Sequence, residues 1–335
     1  MRVVVAAPQV PFVRGGAELM ADDLVDALRV RGHDADLVSI PFKWYPDARV
    51  LDQAFLWRLA DLTEADGRPI DRVIATKFPA YCVRHPNKVA WVLHQFRQAY
   101  DYDRTELGQF GEAPFDRATR QAVARLDAVA LGEARRVFAT SRNVADRLKR
   151  FNGIDAELLP HPPQSLPYRE AEPEGFVLSV NRLDRAKRID LLIDAAKQSG
   201  LRVVIAGEGP DRERLEGLAN GSVTFAGRVN DDELIDLYAR SSAVFYAPID
   251  EDFGMVPFEA FLSGKPVVTT TDAGGPLEVV HDRQTGIVAA PDATSIAEAC
   301  SYLVAHVEDA KGWGHAGRAL AKRVTWDACV DALLA

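Results

Sequence analysis

The stretch AVFYAPIDEDFGMVPFEAFLSGKPVVTTT, residues 243–271, decides how this chain is read. The apolar run Val244, Phe245 and Tyr246 predicts a buried strand, residues 248–254 a loop, residues 256–263 a short helix stopped by Gly264, and residues 266–270 a second strand. Glu251 then falls on the loop at the carboxyl end of the first strand, and Glu259 follows eight positions later, inside the helix. In an open α/β sheet that loop edge is where ligands bind. One carboxylate at the mouth of a crevice and another on its helical wall can hold two separate polyols, as a sugar and a ribose would require.

Toward the N-terminus, the Val-rich run of residues 2–7 reads as a parallel strand buried on both faces. It leads into PQVPFVRGGAELMADDLVDALRVRGHDADLV, where Leu19, Leu24, Ala27 and Leu28 have helical spacing and Gly32 ends the helix. Gly15 and Gly16 stand just before this helix, where missing side chains let a ligand approach the backbone and the helix start favours an anion; a plain helix-entry loop accounts for them equally. Further strands are expected at 72–75, 88–93 and 137–139, with helical patterns between them, so a doubly wound sheet is indicated. His94 directly follows KVAWVL at the strand's carboxyl end, with Arg97 and Asp101 a short step later. Residues 158–173 hold Pro160, Pro162, Pro163, Pro167 and Pro173 with little periodicity and mark an interdomain linker. A second βα series follows it and closes on the opening stretch.

A length of 335 residues is about twice that of a usual single domain, and 47% hydrophobic residues suffice for two cores. A net charge of -9 argues against a nucleic-acid partner, whose phosphates would call for a basic face. Residues 117–150 nevertheless carry nine Arg or Lys against three acids. Such a run is either a solvated helix face or a peripheral contact with anionic lipid. Cys82, Cys300 and Cys329 are odd in number and widely spaced, as expected of free thiols in a reducing compartment. With no signal-like N-terminus and no membrane-spanning run, the expected location is the cytoplasm, with peripheral contact at the inner face of the membrane left open.

After the strand FVLSV comes NRLDRAKRIDLLIDAA, which places Arg182 and Lys187 five residues apart where a loop enters a helix. A guanidinium fork and an ammonium at a strand's carboxyl end suit a diphosphate. GEGP at 207–210 is half of a dinucleotide fingerprint, but position 212 is Arg where a third glycine is wanted, so a tight turn around Gly207 serves as well. FAGRV at 225–229 ends a comparable strand, whose backbone at Arg228 and Val229 could meet a nucleobase. Asp250 and Asp252 have a D-x-D spacing, but with Arg182 and Lys187 available for the same charge a metal would be redundant, and none is expected.

Taken together these segments resemble a retaining glycosyltransferase of family 4, nearly end to end. The resemblance is carried by PFVRGGAELMADDLVDALRVRGHD, RRVFATSRNVADRLKR, VNRLDRAKRIDLLIDAA, IAGEGPDRERL, the run from FAGRVNDDELIDLYARSSAVFYAP through GKPVV, and VTWDACVDALL. Its most specific part is the E-x7-E motif formed by Glu251 and Glu259. The resemblance implies a GT-B fold, two Rossmann-like doubly wound α/β domains facing across a cleft. An acceptor-binding domain would span 1–160 and a donor-binding domain 174–320, with a final segment, 321–335, returning to the first. It further implies transfer of a hexosyl group from a UDP- or GDP-linked sugar to a hydroxyl acceptor, in glycan, glycolipid or natural-product glycoside synthesis, with retention and without a metal cofactor. Glu251 would bind the donor sugar, Glu259 the ribose, and Arg182 and Lys187 the diphosphate. The backbone of Phe253, Gly254, Met255 and Val256 would meet sugar and phosphates, Gly15 and Gly16 would admit the diphosphate or acceptor, His94 would face the reacting sugar, and Gly207, Arg228 and Val229 would lie by the nucleotide. A lipid-linked acceptor is compatible with the basic segment.

Two departures stand out. The linker strand ends in LLPHPPQ without the usual glycine, and Arg188 follows Lys187 where similar proteins often have glycine, a change expected to be tolerated. Two other functions remain open at this stage: a sugar-nucleotide epimerase of similar architecture, against which the lack of a separate acid/base set near Glu251 counts, and a non-catalytic nucleotide-sugar-binding subunit, against which the intact Glu251, Arg182 and Lys187 count.

Overall fold

A computed structural model describes residues 1–13, 15–103 and 105–335. The chain divides into two compact units, residues 1–164 with 325–335, and residues 165–324.

The first unit runs β1 (Arg2–Gln9), α1 (Gly16–Val30), β2 (Asp34–Pro41), α2 (Val50–Leu59), a small antiparallel pair β3 (Glu64–Ala65) and β4 (Arg68–Pro69), β5 (Arg72–Ala75), β6 (Lys88–Val92), α3 (Pro114–Gly132), β7 (Arg136–Ala139), α4 (Arg142–Asn152) and β8 (Glu157–Leu158). Its main sheet is parallel throughout, in the order β2-β1-β5-β6-β7-β8. Alternate residues of β1 enter opposite cores, Val4 and Ala6 on one face and Val3, Val5 and Ala7 on the other, as the two-residue period of a doubly covered strand demands.

The last helix belongs to this unit. It spans Trp326–Leu334 and buries Cys329, Val330 and Leu333. Trp326 meets Trp91 edge to face at 6.2 Å. Its final carbonyls are met by cations: Arg72 donates to Leu333 O at 2.8 Å and Arg136 to Ala332 O at 3.0 Å, which offsets the negative helix end.

Part of the charge counted in segment 117–150 is spent internally. Arg120 and Arg147 are buried, Arg136 pairs with Glu157, and Lys149 pairs with Asp155. The count of cations therefore overstates the basic field at the surface. Among the described residues no helix is long and apolar enough to cross a membrane.

The second unit runs β9 (Phe176–Val180), α5 (Ile189–Ser199), β10 (Arg202–Ala206), α6 (Arg212–Leu218), β11 (Val223–Gly227), α7 (Asp231–Arg240), β12 (Ala243–Phe245), α8 (Val256–Leu262), β13 (Val267–Thr270), β14 (Gly286–Ala289), α9 (Ala293–Ala305) and α10 (Val307–Ala321), and the helix at Trp326–Leu334 is α11. The sheet order is β11-β10-β9-β12-β13-β14, again all parallel. The chain winds outward from β9 through β10 to β11, then returns to lay β12 on the other side of β9. That reversal is the topological switch point, where α/β sheets open a crevice at the carboxyl ends of their strands.

One buried charge site in the first unit makes stability depend on pH. Asp127 is fully buried and accepts from the Tyr100 hydroxyl at 2.6 Å, while Asn152 Nδ2 donates to the same hydroxyl at 3.0 Å. Burial pushes the Asp127 carboxyl up from 3.8 to about 7, and the Tyr100 hydrogen bond only partly opposes this. The folded state thus holds a proton that the unfolded chain has released. The stability this contributes is present below about pH 4 and is lost as pH rises to about 7, by up to about 4 kcal/mol. His161, which burial lowers to about 4, acts in the opposite sense as pH falls below its ordinary value. Asp127→Asn keeps an acceptor for Tyr100 and removes the ionisation. Urea unfolding at pH 5 and pH 8 should show the parent losing more stability than the variant over that interval, and equal losses would refute the assignment.

Candidate functional site

The loops that leave β9 and β12 at the switch point carry the candidate residues of the second unit. Their backbones are stitched together: Ile249 N donates to Ala186 O at 2.9 Å, Asp250 N to Asp272 O at 3.0 Å, Glu251 N to Ala273 O at 2.8 Å, and Gly275 N to Glu251 O at 2.8 Å. Loops after β9, β12 and β13 therefore form one hydrogen-bonded surface with Glu251 near its centre.

Lys187 and Glu251 are ion-paired through Nζ and Oε2. The Tyr246 hydroxyl donates to the same Oε2 at 3.0 Å, and the Lys187 ammonium lies 5.6 Å from the Tyr246 ring centroid. Burial works against the charged Lys187, but Tyr246 and Glu251 outweigh it and raise the ammonium's pKa, so Lys187 is a cation at any physiological pH. Asp184, partly buried with one oxygen unpartnered, completes the group; burial raises its carboxyl despite the nearby Lys187 and Arg182. Arg182 is exposed and makes no side-chain hydrogen bond or ion pair among the described residues.

Glu259 sits in α8 and accepts from the Tyr238 hydroxyl at 2.6 Å. Burial raises its carboxyl, and the Tyr238 bond opposes that. Each glutamate of the motif is thus held through Oε2 by a buried tyrosine, Tyr246 for Glu251 and Tyr238 for Glu259. Gly254, at φ 85°, lies where a Cβ would come 2.8 Å from the Tyr246 ring, so the chain turns tightly against that tyrosine. Phe253 stacks on Phe258 at 5.0 Å, and Met255 caps the α8 start, where Val256 is the first helical residue.

Arg188 stands where similar proteins often have glycine, a replacement the sequence reading takes as tolerated. Its backbone is left-handed, φ 50° and ψ 41°, a conformation that costs a non-glycine residue about 1–2 kcal/mol. Its guanidinium is fully engaged, donating to Ala247 O, Pro248 O, Thr270 Oγ1 and both oxygens of Asp272 at 2.7–3.1 Å. Burial pushes the Asp272 carboxyl up, yet the hydrogen bonds from Arg188 and Thr270 together take it below the ordinary carboxylate value.

The glycines separate into two kinds. A Cβ on Gly207, at φ 131°, would stand 1.9 Å from Asn181 O, and one on Gly209 would stand 2.2 Å from Leu183 O. Both allow the loop after β10 to lie on the loop that carries Arg182. Next to it, Gly207 N donates to Gly227 O at 2.7 Å, directly before Arg228 and Val229. In the first unit, the Gly15 amide donates to Glu18 Oε2 at 3.0 Å and Lys77 pairs with Glu18 at 2.9 Å, so an acidic side chain of the chain itself already occupies that helix entry. Among the described residues, apart from its chain neighbours and its own helix backbone, nothing lies within 4 Å of where a Cβ of Gly16 would stand. His94, half-buried after β6, bonds through Nδ1 to Gln95 O at 2.8 Å. A carbonyl only accepts, so Nδ1 donates this bond. Arg97 is ion-paired with Asp101 one helical turn on. Among the described residues no three His, Cys, Asp or Glu converge to hold a metal ion.

Most of the second unit has known kin. Residues 165–320 match the family of glycosyl transferases group 1. Curated relatives include an uncharacterised glycosyltransferase of Methanocaldococcus jannaschii, 28% identical over 54% of this chain and 50% of its own length. The alpha-1,3/1,6-mannosyltransferase of Homo sapiens is 29% identical over 44% and 41%. A GDP-mannose-dependent alpha-mannosyltransferase of Mycobacterium tuberculosis is 35% identical over 36% and 32%. The chain thus spans half or less of the length of these relatives. Over the whole chain, the fold is that of sucrose-phosphate synthase from Thermosynechococcus elongatus, with TM-score 0.80 at 19% identity and coverage of 98% and 96%. It is also that of HepE from Anabaena in complex with UDP and glucose, with TM-score 0.71 at 17% identity and coverage of 100% and 99%. The fold is GT-B. Glu251, Glu259, Arg182 and Lys187 all lie inside the matched segment.

The glycine geometry is testable by stability alone. Gly207→Ala should cost at least about 2 kcal/mol, through both the collision with Asn181 and the strained φ. Gly217→Ala, inside α6 with open space around it, should instead stabilise by roughly 0.5–1 kcal/mol. Equal effects in thermal unfolding would contradict the packing role given to Gly207.

Proposed function

We propose that this chain is a retaining glycosyltransferase that moves a sugar from a UDP- or GDP-linked donor to a hydroxyl acceptor. The observation that carries the reading is the pairing of Lys187, Glu251 and Tyr246 at the switch point of a segment that matches glycosyl transferases group 1. The names of its relatives point to both donor bases, one to GDP-mannose and one to a complex with UDP.

In this reading the diphosphate lies on Arg182 and Lys187, the sugar hydroxyls on Glu251, and the ribose on Glu259. The bond from the sugar C1 to the diphosphate oxygen breaks, a bond from C1 to the acceptor oxygen forms on the same face, and the hydroxyl proton passes to the departing phosphate. Charge grows on that phosphate as the bond breaks. Cations fixed beforehand stabilise it most in a site shielded from water. Lys187 is suited to this because its pair with Glu251 and its contact with Tyr246 already hold it in place. Glu251 then serves two partners, the ammonium and a sugar hydroxyl, which keeps the sugar close to the charge that leaves it. His94 is assigned to the reacting sugar, and the backbone at 253–256 to sugar and phosphates.

Thermal unfolding with a panel of UDP- and GDP-sugars tests the donor class, because a ligand of the native state raises the midpoint by mass action. At least one should stabilise the protein and be turned over, in the presence of a chelator as well as without it. If none does either, the reading is wrong; loss of turnover in chelator, restored by a divalent ion, would replace the metal-free version. The two glutamates should then separate kinetically. Glu251→Gln is expected to lower kcat much more than it weakens binding of the nucleoside diphosphate. Glu259→Gln keeps an acceptor for Tyr238 and should weaken that binding by roughly tenfold, with a smaller change in kcat.

A further inference from the structure

We propose that Arg188 is a positioning residue of the donor site, which sets the Lys187 and Glu251 pair by clamping the carboxyl ends of β12 and β13 to the start of α5. The inference rests on the donor reading above. It begins from a backbone outlier: Arg188 is a long side chain in the left-handed region, at the cap of α5 and directly after Lys187. Strain at such a position persists only where the surroundings over-determine it. Here the guanidinium supplies that determination. Nε donates to Ala247 O at 2.9 Å and Nη2 to Pro248 O at 3.1 Å, both on the segment that runs from β12 to Glu251. On the β13 side, Nη2 reaches Thr270 Oγ1 at 2.8 Å and Asp272 Oδ1 at 2.7 Å, while Nη1 reaches Asp272 Oδ2 at 2.8 Å. The fork thus meets a carboxylate with two parallel bonds, a geometry that lysine cannot reproduce.

Asp272 is the hub of the clamp. Its side chain holds Arg188, and its backbone oxygen accepts from Asp250, itself left-handed at φ 43°. Asp250 precedes Glu251, and Arg188 follows Lys187. The two members of the ion pair are therefore each one residue from an end of the clamp, and a shift at either end moves them relative to each other. Glu259 lies on α8 and is fixed by Tyr238 instead, outside this path. A loosened clamp should accordingly impair the reacting end of the donor and spare the ribose end.

Arg188→Gly suits the test, since glycine accepts the left-handed backbone while the clamp is lost. With a turned-over nucleotide sugar, kcat is expected to fall roughly ten- to a hundredfold, the range for a misplaced catalytic group. Affinity for the free nucleoside, which lacks the diphosphate that Lys187 holds in this reading, should stay within about twofold, since the ribose contact is outside the clamp. Arg188→Lys and Asp272→Asn should lie between that variant and the parent. Amide hydrogen exchange read at Ile249, Asp250 and Glu251 should speed up in Arg188→Gly while α8 is unchanged. An unchanged kcat overturns the proposal, as does a fall in kcat matched by equal losses of nucleoside affinity and unfolding midpoint. A parent that turns over no nucleotide sugar counts against the donor reading alone; the clamp is then decided by exchange at 249–251, where parental rates in the variant overturn it.

Discussion

The reversal of strand order at β9 is the constraint on which the second unit depends. With β9 flanked by β10 and β12, the chain segments leaving the two central strands must diverge. The helix after β9, α5, joins the core on one face of the sheet, and the helix after β12, α8, joins the core on the other. What remains between their starting points is a gap lined by strand ends. Backbone groups there have no neighbouring strand to pair with, and they are satisfied by one another through the bonds among residues 186, 249–251 and 272–275. The same bonds that complete the backbone's hydrogen bonding hold the loops that carry Lys187 and Glu251.

Charge in this gap is balanced before any ligand arrives. Lys187 is paired with Glu251 and close to Asp184, so the site is not a bare cationic socket. A buried ion pair is retained at a cost in desolvation that its mutual attraction offsets only with good geometry and further hydrogen bonds. Tyr246 provides one of these to Glu251. In the proposed donor site an arriving diphosphate would thus meet a cation already fixed in place, and the reorganisation needed on binding would be small.

Much of this was legible in the sequence. β9 and β12 are announced by the apolar runs FVLSV and Val244 to Tyr246, and the pairing of Glu251 with Glu259 follows from a loop and a helix at fixed spacing. The tyrosines were not, because Tyr246 reads as the last apolar residue of a strand and Tyr238 as one more core position of α7; only their hydroxyl partners distinguish them. Arg188 was read as a tolerated change because a sequence shows that glycine is absent but not which φ the position requires, nor what a long side chain can reach across the sheet. Gly207 was ambiguous for the opposite reason. A glycine that admits a ligand and a glycine that admits a neighbouring carbonyl look alike until the neighbour, Asn181, is seen.

The tyrosines also give the two glutamates unlike surroundings although they belong to one motif. Each phenol donates to one carboxylate oxygen, so both side chains are oriented before binding. Glu251 additionally pairs with the Lys187 ammonium, so it is oriented by a cation as well as by a phenol. Glu259 has Tyr238 but no cation among the partners that shift it, and burial raises its carboxyl. A carboxylate linked to a cation responds to charge that develops during a reaction, whereas one held by a neutral hydroxyl in a buried wall offers a fixed acceptor. That difference in environment, rather than the residue type or the spacing, is the physical ground for giving the two glutamates separate tasks.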